Sequence, residues 1–334
     1  MPRSVILVAL AVGGAAALGS GVLVYTQSPR EAVFEYQSSM SFEGRILDVT
    51  VFRDSIFVLT GDSGGTQIHT LDPRTNLKTG VIDAKNSFAM APDPSTGLIY
   101  LLAATRQRGP FHYIYALDPA SKETELVSTL DEQYAHRGRF PGFVATGAGE
   151  LVINNRVTGG RPELVVVNQD TGFVDRYIDL PPSLSEPAEP RLVPGEYLYR
   201  LRRLSKNQIS ALGINNGNLY IINVPDSKIV HEESVGVPDF PPTLDPTNGM
   251  VNTAPVVFDV YHFDGFRLDL GNGFPEAQGS EIMNLDGSRS PFRLDGPEMA
   301  IAGVSYSALE RVSPTEWLGV DTFRRNRIDR LTIK

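Results

Sequence analysis

The run Gly61-Asp62-Ser63-Gly64-Gly65 has the make-up of a loop around an acyl-transfer serine. Such a hydroxyl attacks a carbonyl only when a histidine accepts its proton and a carboxylate orients that histidine. Where this pentapeptide serves that chemistry, both partners precede the serine in the chain. Here the first histidine, His69, follows Ser63, and about sixty residues cannot build the frame the site requires. The proteolytic reading fails. Gly61, Gly64 and Gly65 permit positive φ, and Asp62 and Ser63 favour turns, so the stretch reads as a tight loop.

Metal chemistry needs clustered ligands. The five histidines, His69, His112, His136, His231 and His262, show neither zinc-site spacing nor an HExxH or HxH pattern. His69 and His112 fall on strand-like segments, where a hydrogen-bonded sheet position is expected. His231-Glu232-Glu233 reads as a solvated polar edge. Residues 258–273 offer Asp259, Asp264, Asp269 and Asn272 for calcium, but the spacing is not that of an EF-hand loop. Neighbouring strand residues alternate faces, so these carboxylates read as turn residues. There is no Walker loop and no dinucleotide fingerprint. With no cysteine, disulfides, thiolate metal sites and CxxCH haem attachment are excluded. The expectation is a chain with no catalytic set, no metal and no cofactor.

The elements that would position any site emerge from composition and repetition. The 334 residues are 41% hydrophobic and 21% charged, which is ordinary globular usage, and 31 glycines with 24 prolines imply many turns. A net charge of −9 disfavours nucleic acid as a partner. Three fifteen-residue windows match without gaps: IHTLDPRTNLKTGVI (68–82), IYALDPASKETELVS (114–128) and LVVVNQDTGFVDRYI (164–178). Each is a β-rich run, an Asp or Asn, a Thr or Ser three residues later, and a second β-rich run. Asp72, Asp118 and Asn168 can each accept from the backbone two residues on, which is hairpin-turn chemistry. The pattern returns, loosened, at 219–233 and, shortened, at 281–294.

Further β-like runs precede each hairpin, at 46–52 and 55–61, at 87–93 and 98–104, and at 140–146 and 150–156. Each unit therefore holds about four strands. The turn residues Asp72, Asp118, Asn168, Asn223 and Asp286 recur at intervals of 46, 50, 55 and 63. Four-strand units of this length are the signature of a β-propeller. After five units, residues 300–309, 316–323 and 327–334 supply three strands without a fourth, which the segment 32–42 can provide. The chain here resembles the six-bladed β-propeller proteins, and its LDPxT-type hairpins are similar to those of bacterial extracytoplasmic propellers. The resemblance spans residues 32–334. It implies an all-β, six-bladed propeller closed by an N-terminal strand. Some six-bladed propellers are metal-dependent lactonases or esterases with a Glu, Asn and Asp set at the central channel. Glu150, Asn154 and Asn155 are contributors this sequence offers without completing a set, and that hydrolase is the alternative reading.

Ahead of the repeats, residues 4–25 form a 22-residue stretch without a charge, long enough as a helix to cross a bilayer. Arg3 precedes it, so the positive end remains cytoplasmic and the remainder crosses. Ala15-Ala16-Ala17 would also serve as a signal-peptide cleavage site. Apolar character resumes at Val22-Leu23-Val24, which favours a retained anchor. Ala11, Gly14, Ala17 and Gly21 give that helix one face of small residues suited to packing on another membrane helix. The organisation read is an anchor or signal peptide over 1–27 and a propeller over 28–334. It places the protein in a bacterial inner membrane, single-pass, with the propeller on the periplasmic side.

Two proline-rich inserts, 179–198 and 236–250, break the rhythm and are natural recognition loops. Two basic clusters stand out on this acidic chain: Arg200, Arg202 and Arg203, then Arg324, Arg325 and Arg327. They are the candidates for contact with anionic lipid or an acidic partner. The expected function is a non-catalytic scaffold that docks on and stabilises a membrane protein complex. In layout the chain resembles extrinsic subunits of such assemblies, including a stabilising subunit of a bacterial photosynthetic reaction-centre–light-harvesting complex.

Overall fold

The computed structural model of the protein describes residues 33–104, 112–130, 142–155, 163–181, 198–213, 218–234, 243–244, 251–252, 259–263, 266–270, 281–284, 289–291, 293–297, 308–313, 315–321 and 326–333. Every regular element among them is a strand. The chain enters on β1 (Val33–Ser41) and then builds antiparallel meanders. Blade 1 is β2 (Arg45–Phe52), β3 (Ser55–Asp62), β4 (Gly65–Leu71) and β5 (Lys78–Asp83). Blade 2 is β6 (Ser87–Asp93), β7 (Leu98–Ala104), β8 (His112–Leu117) and β9 (Thr124–Leu130). Blade 3 is β10 (Phe143–Ala145), β11 (Glu150–Asn155), β12 (Glu163–Asn168) and β13 (Val174–Asp179). Blade 4 is β14 (Leu198–Arg203), β15 (Gln208–Gly213), β16 (Asn218–Asn223) and β17 (Lys228–Ser234). A short pair, β18 (Thr243–Leu244) with β19 (Val251–Asn252), precedes blade 5, which is β20 (Asp259–Phe263), β21 (Phe266–Leu270), β22 (Glu281–Asn284) and β23 (Arg289–Pro291). The remaining strands are β24 (Arg293–Asp295), β25 (Ala308–Arg311), β26 (Glu316–Asp321) and β27 (Arg327–Ile333).

The fold is an all-β propeller with five four-stranded blades rather than the six read from the sequence. The last sheet is five-stranded, in the order β24-β1-β27-β26-β25. The N-terminal strand does pair with β27, antiparallel from Phe34 opposite Ile333 to Ser41 opposite Arg327. On its other edge β1 accepts β24 in parallel, with Val33 opposite Arg293. The sequence reading ran the fifth hairpin on to residue 294. Pro291 ends β23 instead, because proline has no N–H to continue the ladder, and the next strand belongs to a different sheet.

The apolar core lies between sheets. One cluster joins the five-stranded sheet (Leu318, Val320, Ile328) to blade 1 (Ile46, Ile56, Val58). Others join blades 1 and 2, blades 2 and 3, and blades 3 and 4. β12 explains how one strand serves two cores. Leu164 and Val166 pack toward blade 4, while Val165 and Val167 pack toward blade 2. Alternate side chains leave opposite faces, so a strand between two neighbours is apolar throughout instead of alternating with polar residues. β3 and β7 show the same run of five buried residues.

The Gly61–Gly65 stretch is the β3–β4 hairpin, with Asp62 paired to Gly65. The Gly64 N–H donates to Asp62 Oδ1 at 2.6 Å, and Ser63 stands exposed at the tip. Residues 1–32, with the expected anchor and its Ala11, Gly14, Ala17 and Gly21 face, lie outside the described residues, as do most of both proline-rich inserts. Among the described residues no helix is long and apolar enough to cross a membrane.

Candidate functional site

The repeated hairpin turns have one geometry. In blade 1 Asp72 Oδ1 accepts from the N–H groups of Arg74 (2.7 Å) and Thr75 (2.9 Å). In blade 3 Asn168 Oδ1 accepts likewise from Asp170 and Thr171, and in blade 2 Asp118 Oδ1 accepts from Ala120. The hydroxyls of Thr75, Ser121 and Thr171 then accept from the residue two further on. The fifth residue of each turn takes a left-handed φ: Asn76 (60°), Lys122 (63°), Gly172 (70°) and, in blade 4, Ser227 (51°). Backbone N–H donors hold the Asp72 carboxyl below its usual range, first through Thr75 and then through Arg74. Asp118 is lowered first by Ala120 in the same way.

These turns reach the sheet before them. Asn76 Oδ1 accepts from Arg330 Nη1 of β27 at 2.9 Å. Ser128 of β9 donates to the Gly172 carbonyl. Arg176 of β13 donates to the Val224 carbonyl (2.9 Å) and to Ser227 Oγ (3.2 Å), while pairing with Glu150 at 2.7 Å. Deeper between blades, buried Asp48 of β2 accepts from the Met90 N–H of β6 at 2.8 Å. Asp93 of β6, also buried, accepts from Gln169 Nε2 at 3.1 Å. Hydrogen bonds and apolar clusters thus tie the five-stranded sheet and blades 1 to 4 into a stiff platform.

The outer strands expose both charged and apolar side chains. Among the described residues the exposed large hydrophobic ones are Leu77, Val81, Leu126, Phe173, Tyr177 and Val230. All six lie on the fourth strands β5, β9, β13 and β17 or at the turns that lead into them. Phe173 is 76% exposed and Leu77 67%, at equivalent positions of two turns. Exposed Lys78, Glu125, Asp175, Asp179, Lys228 and Glu232 lie on the same strands and supply the charge that ordinarily guards an unpaired edge. The bulky apolar groups set among them, foremost Phe173 and Leu77, are the residues on these edges suited to meet a partner.

A second feature lies between the end of β1 and blade 1. A groove of about 490 Å³ runs along Met40–Gly44 on one side and β3, β4 and the β5 entry on the other. His69 Nε2 is 3.0 Å from Thr60 Oγ1, and its ring lies 5.4 Å from that of Phe42. Burial, and secondarily the Lys78 charge, hold the imidazole below its usual pKa.

The residues singled out from the sequence disperse. Arg202 of β14 pairs with Glu310 of β25 at 3.2 Å, so it links blade 4 to the five-stranded sheet. Arg327 is buried and donates to Asp329 at 2.6 Å. Neither is an open cationic surface, because strand alternation turned both toward carboxylates. Arg203 is exposed; Arg200 is placed on β14 by its backbone; Arg324 and Arg325 lie outside the described residues. Glu150 is engaged by Arg176, and Asn154 is buried on the same strand, β11. The register sets Asp259 opposite Leu270 and Asp269 opposite Val260, while Asp264 and Asn272 lie outside the described residues. His231 faces Glu233 at 3.5 Å on an exposed edge, as the polar pattern implied. Trp317 packs edge-on against Phe34 of β1 at 6.2 Å within the sheet core. Among the described residues no three His, Asp or Glu side chains come together as a metal-holding group.

No protein-family model matches the chain, and no curated protein does. Solved structures do. A protein of unknown function from Bacteroides thetaiotaomicron aligns at TM-score 0.56 and 11% identity, covering 89% of this chain and 72% of that one. The β-propeller domain of Cps50 (Swd1) from Myceliophteria thermophila aligns at 0.53 and 12% identity, covering 89% and 99%. U3-55K aligns at 0.50 and 10% identity, covering 88% and 97%. At such identities the likeness shows the propeller fold alone.

Proposed function

We propose that the chain is a non-catalytic docking propeller, tethered by its N-terminal apolar segment to a bacterial inner membrane with the blades on the periplasmic side. In this reading the five-stranded sheet is the sixth sector, completing the ring, and the partner is a membrane protein complex that the rim stabilises. The complex the layout favours is a photosynthetic reaction-centre–light-harvesting assembly. The carrying observation is the rim: the exposed bulky apolar residues sit on successive outer strands of a platform whose blades are cross-tied. Aromatic anchors on a stiff surface dominate interface energetics, since little ordering cost accompanies their burial.

Co-purification in mild detergent tests this. The native protein is expected to migrate with integral membrane subunits. The double variant Phe173→Ser, Tyr177→Ser should weaken that association by about a thousandfold, at about 2 kcal/mol for each aromatic anchor. Its melting temperature should stay close to the parent's, because both side chains are exposed. A protein that runs as a free monomer from native membranes, or a double variant that still co-migrates fully, refutes the proposal.

A further inference from the structure

We infer that the groove between the end of β1 and blade 1 binds a small, uncharged, hydroxyl-rich molecule of the saccharide class. Its volume, about 490 Å³, falls in the range of small-molecule sites. Its charges select the ligand. Glu43 and Asp62 set two carboxylates against the single ammonium of Lys78, so a phosphate or carboxylate ligand meets a net negative wall. No group of three acids or histidines among the described residues is arranged for a divalent cation. Hydroxyls suit the remainder, because they donate to carboxylates and accept from the Gln67 amide, while Phe42 offers an apolar face to ring C–H groups. His69 lines the groove beside Phe42, with its Nε2 hydrogen-bonded to Thr60.

The groove is walled by two sheets, so a bound ligand should also stiffen their junction. The full chain in detergent is titrated with glucose, maltose and N-acetylglucosamine, and with inorganic phosphate as the anionic comparison, by saturation-transfer NMR and thermal melting. At least one sugar is expected to bind with a Kd of about 1 mM or tighter and to raise the melting temperature. Gln67→Leu and Glu43→Leu, both at exposed positions, should each weaken that binding about tenfold, one hydrogen bond's worth, while the unliganded melting temperature holds. The inference is overturned if none of the three sugars binds, if both variants bind as the parent does, or if phosphate binds more tightly than every sugar.

Discussion

Gly172 separates two reasons for a glycine. Its φ of +70° belongs to the left-handed region, where a side chain costs about 1–2 kcal/mol. The corresponding residues of the sister turns, Asn76, Lys122 and Ser227, carry side chains at the same φ, so conformation alone does not demand glycine. Proximity does. A Cβ on Gly172 would overlap the carbonyl oxygen of Val127 and lie 3.1 Å from its carbonyl carbon, both backbone atoms of β9. Relief requires blade 3 to back away from blade 2, straining the Ser128–Gly172 hydrogen bond and loosening the shared apolar cluster. Overpacking of this kind costs about 1–3 kcal/mol, and a lost hydrogen bond about 1 kcal/mol more. Gly172→Ala is therefore expected to lose about 3–5 kcal/mol, a large part of a typical folding free energy. Gly172→Asn is the informative variant, because asparagine tolerates left-handed φ. It should still lose about 2–4 kcal/mol, since the overlap remains. Denaturant unfolding followed by tryptophan fluorescence measures both, with Lys122→Gly as the control that changes φ preference at an exposed position without a backbone clash. If Gly172→Asn is as stable as the parent, the close approach between blades is wrong.

Other perturbations follow from the same contacts. Asp329→Ala removes a buried carboxylate partner of the Arg327 guanidinium and should cost about 3–5 kcal/mol in denaturant melts, whereas Arg327→Met with Asp329→Leu should cost far less. The His69 pKa is lower folded than unfolded, so the native state disfavours its protonation. Stability should be full above the ordinary imidazole value, near 6.5, and fall as pH drops below it, with His69→Gln showing a shallower acid slope in thermal melts. Ser38→Pro in β1, which lies between β24 and β27, removes a donor of the β1–β27 ladder and should cost about 3 kcal/mol or more, with faster proteolytic cleavage near β27 as the readout.

The hairpins were legible because their chemistry is local. An Asp or Asn oxygen that accepts from the next few N–H groups leaves a trace in any fifteen-residue window, and Asp72, Asp118 and Asn168 all behave as that trace implies. Strand starts and ends in blades 1 and 2 were legible for the same reason. The blade count was not. Whether Arg293–Asp295 extends one hairpin or crosses to β1 is decided by pairing with residues far away in the chain, which leaves no local mark. At Arg202 and Arg327 the charge run misled, because such a run looks solvated. Yet Asp329 stands two residues beyond Arg327, hence on the same face of a strand, and that spacing was a readable hint of an internal ion pair. The groove left no hint, since its walls come from the end of β1 and from three strands of another sheet.

The pairing of Phe34 with Ile333 has a bearing on how the chain matures. Bringing together residues about three hundred positions apart costs about 5 kcal/mol of loop entropy before the first contact forms. The earliest described strand to leave the ribosome must therefore wait, one edge open until β24 and the longer one until β27 has been made. A nascent chain in that state is exposed to mispairing for the whole interval. A factor that shields β1 over that interval would guard the step on which closing the last sheet depends.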